Sequence, residues 1–191
     1  GSNYALDVLD LDALVEIDGS LDFSNNDDLI TFDLPAPTFR HKQFEQYKAQ
    51  RPPTPPELQS QFARVRQMVG AFDIPIFEME EYEGDDILGT ISRQATEQDM
   101  DTIILTGDTD TLQLVSPTVR VALNRSIQDR VIYDEVAVRE RYGGLNPSQQ
   151  PHVKALQGDV SDNIAGVPGI GIKTAIKLIQ DYGSIESLYT N

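Results

Sequence analysis

Cysteine is absent from the 191 residues, which removes disulfide scaffolds, thiolate zinc sites and cysteine nucleophiles together. Histidine is nearly absent. His41 and His152 are too few for a multi-histidine zinc site, and both read as surface or junction residues. No apolar run approaches the roughly 18 residues of a membrane-spanning helix. No basic stretch followed by an apolar one marks a secretory signal near the start. A cytoplasmic protein with no membrane partner is expected. Lysine and arginine are missing from residues 1–38, which carry nine acids.

The chain contains 31 acidic and 15 basic residues, a formal net charge of −16, and 39% hydrophobic residues. That hydrophobic fraction supports a packed core. The negative charge opposes casual nucleic-acid binding unless cations fill the acidic clusters. The charge is also segregated. Residues 40–66 hold six bases against Glu45 and Glu57, and residues 78–110 hold eleven acids against Arg93.

Hydrophobic periodicity places strands at Ala13–Asp18, Leu29–Asp33, Ile74–Phe77, Thr102–Thr106, Val119–Leu123 and Arg130–Tyr133. Helices are expected at Glu57–Phe72, Gly84–Gln98, Tyr133–Tyr142, Pro147–Leu156 and Ile172–Asp181. In Glu57–Phe72 the apolar positions Leu58, Phe62, Val65, Met68 and Val69 recur at helical spacing. The near-continuous apolar run TIILT suits a strand covered on both faces of a parallel sheet. Alternating strands and helices imply an α/β fold with a mainly parallel central sheet flanked by helices. Its expected core spans 1–133, with 134–191 forming a second, helical unit.

Acids collect where these strands end or helices begin: Asp18, Asp33, Glu83/Asp85/Asp86, Asp108/Asp110 and Asp159/Asp162. In open α/β sheets, ligands bind beyond the carboxyl ends of the strands. Aspartate is routine at helix caps and turns, so one pair alone carries little. Nine carboxylates brought together would repel and raise one another's pKa unless cations compensated them. Oxygen donors without His or Cys favour Mg²⁺ or Mn²⁺, and two such ions are the usual apparatus of phosphodiester cleavage. A second motif is Gly166-Val-Pro-Gly-Ile-Gly-Ile-Lys-Thr-Ala175. Its glycines at 166, 169 and 171 permit a tight turn and close approach to a phosphate, and Lys173 and Thr174 open the helix that follows. The GxxxxGK[ST] spacing of a P-loop is absent.

Four stretches, PTFRHKQFEQYKAQRPPTP, EYEGDDILGTI, ILTGDTDTLQLV and LQGDVSDNIAGVPGIGIKTA, resemble the 5′ nuclease domain of bacterial DNA polymerase I, within the flap endonuclease family. The similarity runs from about Pro37 to Asn191. It implies a PIN-like 5′ nuclease fold with a C-terminal helix-three-turn-helix element, and cleavage of branched or 5′-ended duplex DNA. Glu83 and Asp85, with Asp86 beside them, resemble ligands of a first metal, while Asp108, Asp110, Asp159 and Asp162 resemble the set around a second. Asp18 and Asp33 match the acids of the family's first two strands. Lys48 resembles the lysine on the scissile phosphate, with Arg51 near it, and Arg40 lies in the basic, arch-like segment 39–56 expected to face DNA. The helix-hairpin-helix at 164–175 resembles a backbone grip that holds a monovalent cation (K⁺). A monomer, once joined to a polymerase domain, is implied.

The resemblance weakens over 1–38. Only residues 20–32 separate Ile17-Asp18-Gly19 from Asp33, where the family has several dozen residues, and they include no base. The family's helices beyond Asn191 have no counterpart here, Gly84 replaces the usual Ala, and Ala165 the usual Pro. A second reading follows: a DNA-backbone-binding module that cuts weakly or not at all. A third is a fragment with neither activity.

Overall fold

The computed structural model describes residues 28–124, 126 and 129–190, so the strand expected at Ala13–Asp18, with Asp18 itself, lies outside the described residues. The chain packs as two compact units that divide at Leu88/Gly89, and the short stretch Ser161–Asn163 belongs to the first. The expected boundary was at 133/134.

The first unit pairs β1 (Ile30–Thr31) with β2 (Ile76–Phe77) in parallel, Ile30 opposite Ile76 and Thr31 opposite Phe77. The ladder extends at each end: Ile30 N–H donates to the Pro75 carbonyl (3.0 Å) and Phe32 N–H to that of Phe77 (3.1 Å). Asp33 therefore sits just past the carboxyl end of β1. Helix α1 (Phe39–Gln43) is a single short turn. Helix α2 (Pro56–Ala71) begins at the PPTPP run, where a proline in the first turn forfeits no intrahelical hydrogen bond. Its apolar stripe is present as expected, but only Val69 is buried; Leu58, Phe62, Val65, Met68 and the adjoining Phe72 are exposed. Helix α3 (Gly84–Glu97) starts in this unit and continues into the second.

The second unit contains a sheet ordered β3 (Thr102–Thr106), β4 (Val119–Asn124), β5 (Arg130–Tyr133). β3 and β4 run parallel, Thr102 opposite Val119 through Thr106 opposite Leu123, and β5 is antiparallel to β4. One face is core: Ile104, Val119, Val121, Leu123 and Tyr133 are buried, together with Ile91 and Ala95 of α3. The other face departs from expectation. Ile103 and Leu105 are 60% and 56% exposed, so β3 is covered on one face only. An apolar run specifies a strand but not how many of its faces find partners.

A 3₁₀ turn (Asp110–Leu114) follows β3 and buries Thr111 and Leu112. Helix α4 (Glu135–Arg141) is capped by Asp134, whose carboxylate accepts the Ala137 N–H at 2.8 Å. A second 3₁₀ turn (Pro147–Gln149) leads into α5 (Gln150–Gln157), then a two-stranded antiparallel ladder, β6 (Gly158–Asp159) with β7 (Ile164–Ala165), then α6 (Ile172–Tyr182) and α7 (Ile185–Thr190). Leu145, Val153, Leu156, Ala175 and Ile179 form a separate cluster. On α6, Ile172, Ala175, Ile176 and Ile179 recur at three- and four-residue spacing, and the innermost two are fully buried.

Candidate functional site

In the first unit, three acids and three bases close on one another around Tyr47. The start of α3 presents Glu83 and Asp86, and Asp86 Oδ2 accepts the Glu83 backbone N–H at 2.9 Å. From α1, Arg40 grips Asp86 with two bonds of 2.7 Å each, and both side chains are about 95% buried. The Tyr47 hydroxyl lies 3.0 Å from Glu83 Oε2 and 3.1 Å from Asp162 Oδ2, so its one proton is shared between two carboxylates. Lys48 Nζ is 2.6 Å from Glu83 Oε1 and 4.0 Å from Asp162 Oδ2. Arg51 donates to Asp162 Oδ1 at 2.6 Å and to the Ser161 carbonyl at 3.1 Å.

The backbone is bent to make these contacts. Lys48 has φ +55°, a left-handed conformation unfavourable for a long side chain, and its N–H donates to the Asp162 carbonyl at 3.0 Å. Asn163 is left-handed as well and donates to the Gln46 carbonyl at 2.8 Å. Asp33 Oδ1 accepts the Gly84 N–H at 2.5 Å. A Cβ at position 84 would stand 3.1 Å from that carboxylate oxygen and 3.2 Å from Thr31 Oγ1, which suits glycine there. Gly84 is also the first residue of α3 rather than an interior one. Asp85 is half-buried in the same turn.

Electrostatics follow from the burial. Desolvation, then the fields of Glu83 and Asp162, push the Tyr47 phenol far above the usual tyrosine range, so it stays protonated and donates. For Arg40, burial opposes the charge, but the hydrogen bonds and field of Asp86 outweigh it and hold the guanidinium above the ordinary arginine value.

In the second unit, Asp108 follows the carboxyl end of β3. Its N–H donates to Thr106 Oγ1 (3.0 Å) and its Oδ1 accepts the Asp110 N–H (2.9 Å), an Asx turn that presents both acids. Lys154 of α5 lies between two carboxylates: Nζ is 2.7 Å from Asp110 Oδ1 and 2.5 Å from Asp159 Oδ2. Burial, with Asp108 and Asp159 nearby, raises the Asp110 pKa above the usual carboxylate range despite Lys154. Lys154 is itself held above its ordinary value, because its two carboxylate partners outweigh burial.

Within each unit, the acids are compensated by the chain's own cations. Among the described residues, no three acidic or histidine side chains are grouped so as to hold a metal ion. The physical reason is that the chain's own cations, Lys48, Arg51 and Lys154, occupy the convergent positions. Asp162 shares the Tyr47 proton with Glu83. Arg40, expected to face DNA, is buried on Asp86. Arg51 follows a series of turns, not a helix.

The hairpin 164–175 forms as expected. Gly169 has φ +83° and supplies the tight turn, and Gly171 is the N-cap of α6, with Lys173 and Thr174 exposed in its first turn. Gly166 also has a packing role. A Cβ there would lie 2.2 Å from the Gln157 carbonyl carbon, so glycine is required for backbone packing against Gln157–Gly158. His41 accepts the Thr38 N–H (3.1 Å) and stands edge-on to Tyr47, and His152 lies 3.9 Å from Glu186.

Two functional side chains escape sequence reasoning. Tyr47 reads there only as an apolar position in the basic segment, and nothing singles out Lys154. Their signal was adjacency to motif residues: Tyr47 precedes Lys48, and Lys154 stands five residues before Asp159.

Residues 19–143 match the family model described as the 5′-3′ exonuclease N-terminal resolvase-like domain. Residues 145–191 match that described as the 5′-3′ exonuclease C-terminal SAM fold. DNA polymerase I of Bacillus caldotenax is 46% identical over 161 residues, 84% of this chain and 18% of that protein. DNA polymerase I of Chloroflexus aurantiacus is 50% identical over 154 residues, 79% of this chain and 16% of that protein. The chain therefore spans less than a fifth of these relatives. In fold it is similar to the T5 D15 protein co-crystallised with metal ions, with a TM-score of 0.73 at 23% identity over 88% of this chain and 66% of that one. The catalytic core of Rad2 in complex with DNA substrate aligns with a TM-score of 0.52 at 18% identity, over 83% of this chain and 48% of that one. Matched in order by both parts of one family from residue 19 to residue 191, the chain belongs to the 5′-3′ exonuclease family.

Proposed function

We propose that this chain hydrolyses DNA phosphodiesters near 5′ ends or flaps with the help of divalent cations. The single observation that carries the reading is Lys154, whose ammonium stands between Asp110 and Asp159 and so marks a point on which two carboxylates converge for a cation. The donors are all oxygen, which suits Mg²⁺ or Mn²⁺. Asp108, Asp110 and Asp159 would hold one such ion, and Glu83, Asp85, Asp86 and Asp162 another, with Asp33 supporting through Gly84. Bound, the ions supply Lewis acidity and a water of lowered pKa.

The chain's own groups do the rest. Lys48 and Arg51 offset charge that develops on the phosphoryl oxygens. Tyr47, always protonated, orients Glu83 and Asp162, and Arg40 fixes Asp86. Gly169, Gly171, Lys173 and Thr174 grip the duplex backbone without reading sequence, and the same hairpin would hold K⁺. The branched or 5′-ended duplex, the monomeric state, the cytoplasmic setting and a polymerase partner in a longer chain belong to the same proposal. No helix among the described residues is long and apolar enough to cross a membrane.

The test is cleavage of a labelled 5′-flapped duplex with Mg²⁺ or EDTA. Cutting requires the ion, and Asp108→Ala and Asp85→Ala each abolish it while leaving DNA binding largely intact. Normal cutting by both variants overturns the assignment. Binding that falls with salt, ignores Mg²⁺ and yields no product favours the second reading, which the short 20–32 segment supports.

A further inference from the structure

Lys48 aims its ammonium at Glu83 from a backbone that lysine does not adopt by preference. Its φ of +55° is left-handed, and its Nζ stands 2.6 Å from Glu83 Oε1. A strained residue of this kind persists only where its surroundings over-determine it. Two hydrogen bonds do so, one on each side of Tyr47. The Lys48 N–H donates to the Asp162 carbonyl at 3.0 Å, and the Asn163 amide donates to the Gln46 carbonyl at 2.8 Å. The first bond is made by backbone alone, so it does not depend on which side chain stands at 162. The second depends entirely on the side chain at 163.

Asn163 also suits its own place in the chain. It ends the 160–163 turn between β6 and β7 with φ +62°, a conformation that asparagine tolerates better than most residues. Its carboxamide supplies the donor that the Gln46 carbonyl needs, whereas a carboxylate would set oxygen against oxygen. We infer that Asn163 is a positioning residue for Lys48: through the Gln46 carbonyl, its amide holds the left-handed turn that aims the ammonium at the reacting phosphate. This deepens the proposed nuclease reading, on which the role of Lys48 rests.

The first measurement needs neither metal nor cutting. The full chain in EDTA is acylated with an amine-reactive ester, and each lysine is read by mass spectrometry. In the parent chain Lys48, 17% exposed, and Lys154, 25% exposed, react slowly beside Lys177, which is 74% exposed. Asn163→Gly keeps a residue at ease in the left-handed region but removes the donor. Labelling of Lys48 is expected to rise about tenfold, the worth of one lost hydrogen bond, with Lys154 unchanged. No rise at Lys48 overturns the inference, and so does an equal rise at Lys154, which marks general loosening. Asn163→Asp, equally at ease at positive φ, gives the same pattern and decides the matter if thermal unfolding finds the glycine variant unfolded.

The second measurement is cleavage of the 5′-flapped duplex. Asn163→Gly lowers kcat about 10–100-fold and leaves KM unchanged. In a Lys48→Ala background the same substitution slows cutting no further, because the two residues act as one unit. Equal slowing in both backgrounds overturns the inference. A parent chain that cuts nothing overturns the nuclease reading alone, and the labelling pattern still decides whether Asn163 holds Lys48.

Discussion

Arg40 and Asp86 satisfy one another with two short, charge-assisted bonds in a buried setting, and neither has water to fall back on. Arg40→Ala takes from a buried carboxylate its charge-compensating guanidinium and should cost about 3–5 kcal/mol, read from urea unfolding. Arg40→Ala combined with Asp86→Leu should recover part of that loss; a double variant as unstable as the single one would mean the arginine acts through something other than Asp86. Tyr47→Phe makes a different prediction. Removing the shared proton frees two carboxylates to turn, so metal affinity or turnover should fall about 10–100-fold. Its folded pKa is raised, so its contribution to stability is fully present below the ordinary tyrosine pKa of about 10 and is lost as pH rises beyond it. The phenylalanine variant should therefore lose less stability between neutral and strongly alkaline pH. A basic strip was legible at 40–66, but which base turns inward was not. Asp86 is 46 residues from Arg40 in the chain, and composition does not encode that approach.

At the scale of elements, periodicity was a good guide to where helices and strands lie and a poor guide to what covers them. Thr102–Thr106 and Arg130–Tyr133 fall where their patterns place them, and α2, α3 and α6 agree with expectation to within a residue or two at each end. Yet the α2 stripe and one face of β3 stand open, because a pattern specifies an apolar face and not its partner. Met68 is 58% exposed and Phe72 71%. Met68→Gln and Phe72→Gln should each change stability by no more than about 0.5 kcal/mol. Together they should reduce binding of a dye that reports exposed apolar surface, and reduce self-association in light scattering. Losses above about 2 kcal/mol would show that α2 is covered in solution.

At the scale of the whole molecule, a net charge of −16 opposes the polyanionic substrate proposed above, and cations bound in the acid clusters would offset it. The carboxylates at the ends of strands and helices were legible because their chemistry repeats at several places in the sequence. The lysine standing in for a cation was not, because nothing in a single α5 base announces two partners. Lys154 brings Asp110 and Asp159 the positive charge that a cation would bring to the proposed site, so a metal bound there would have to displace it. Lys154→Met removes that internal cation. In EDTA the variant should lose about 1–3 kcal/mol, less than for a fully buried pair because Asp110 is about one third exposed. Mg²⁺ should then restore more stability to the variant than it adds to the parent chain, since ions that bind only the folded form stabilise it by mass action. Thermal unfolding across a magnesium series measures both effects without any cleavage. An equal magnesium response in the two proteins would mean that Lys154 does not hold the cation's place, and the central support for the nuclease reading would be gone.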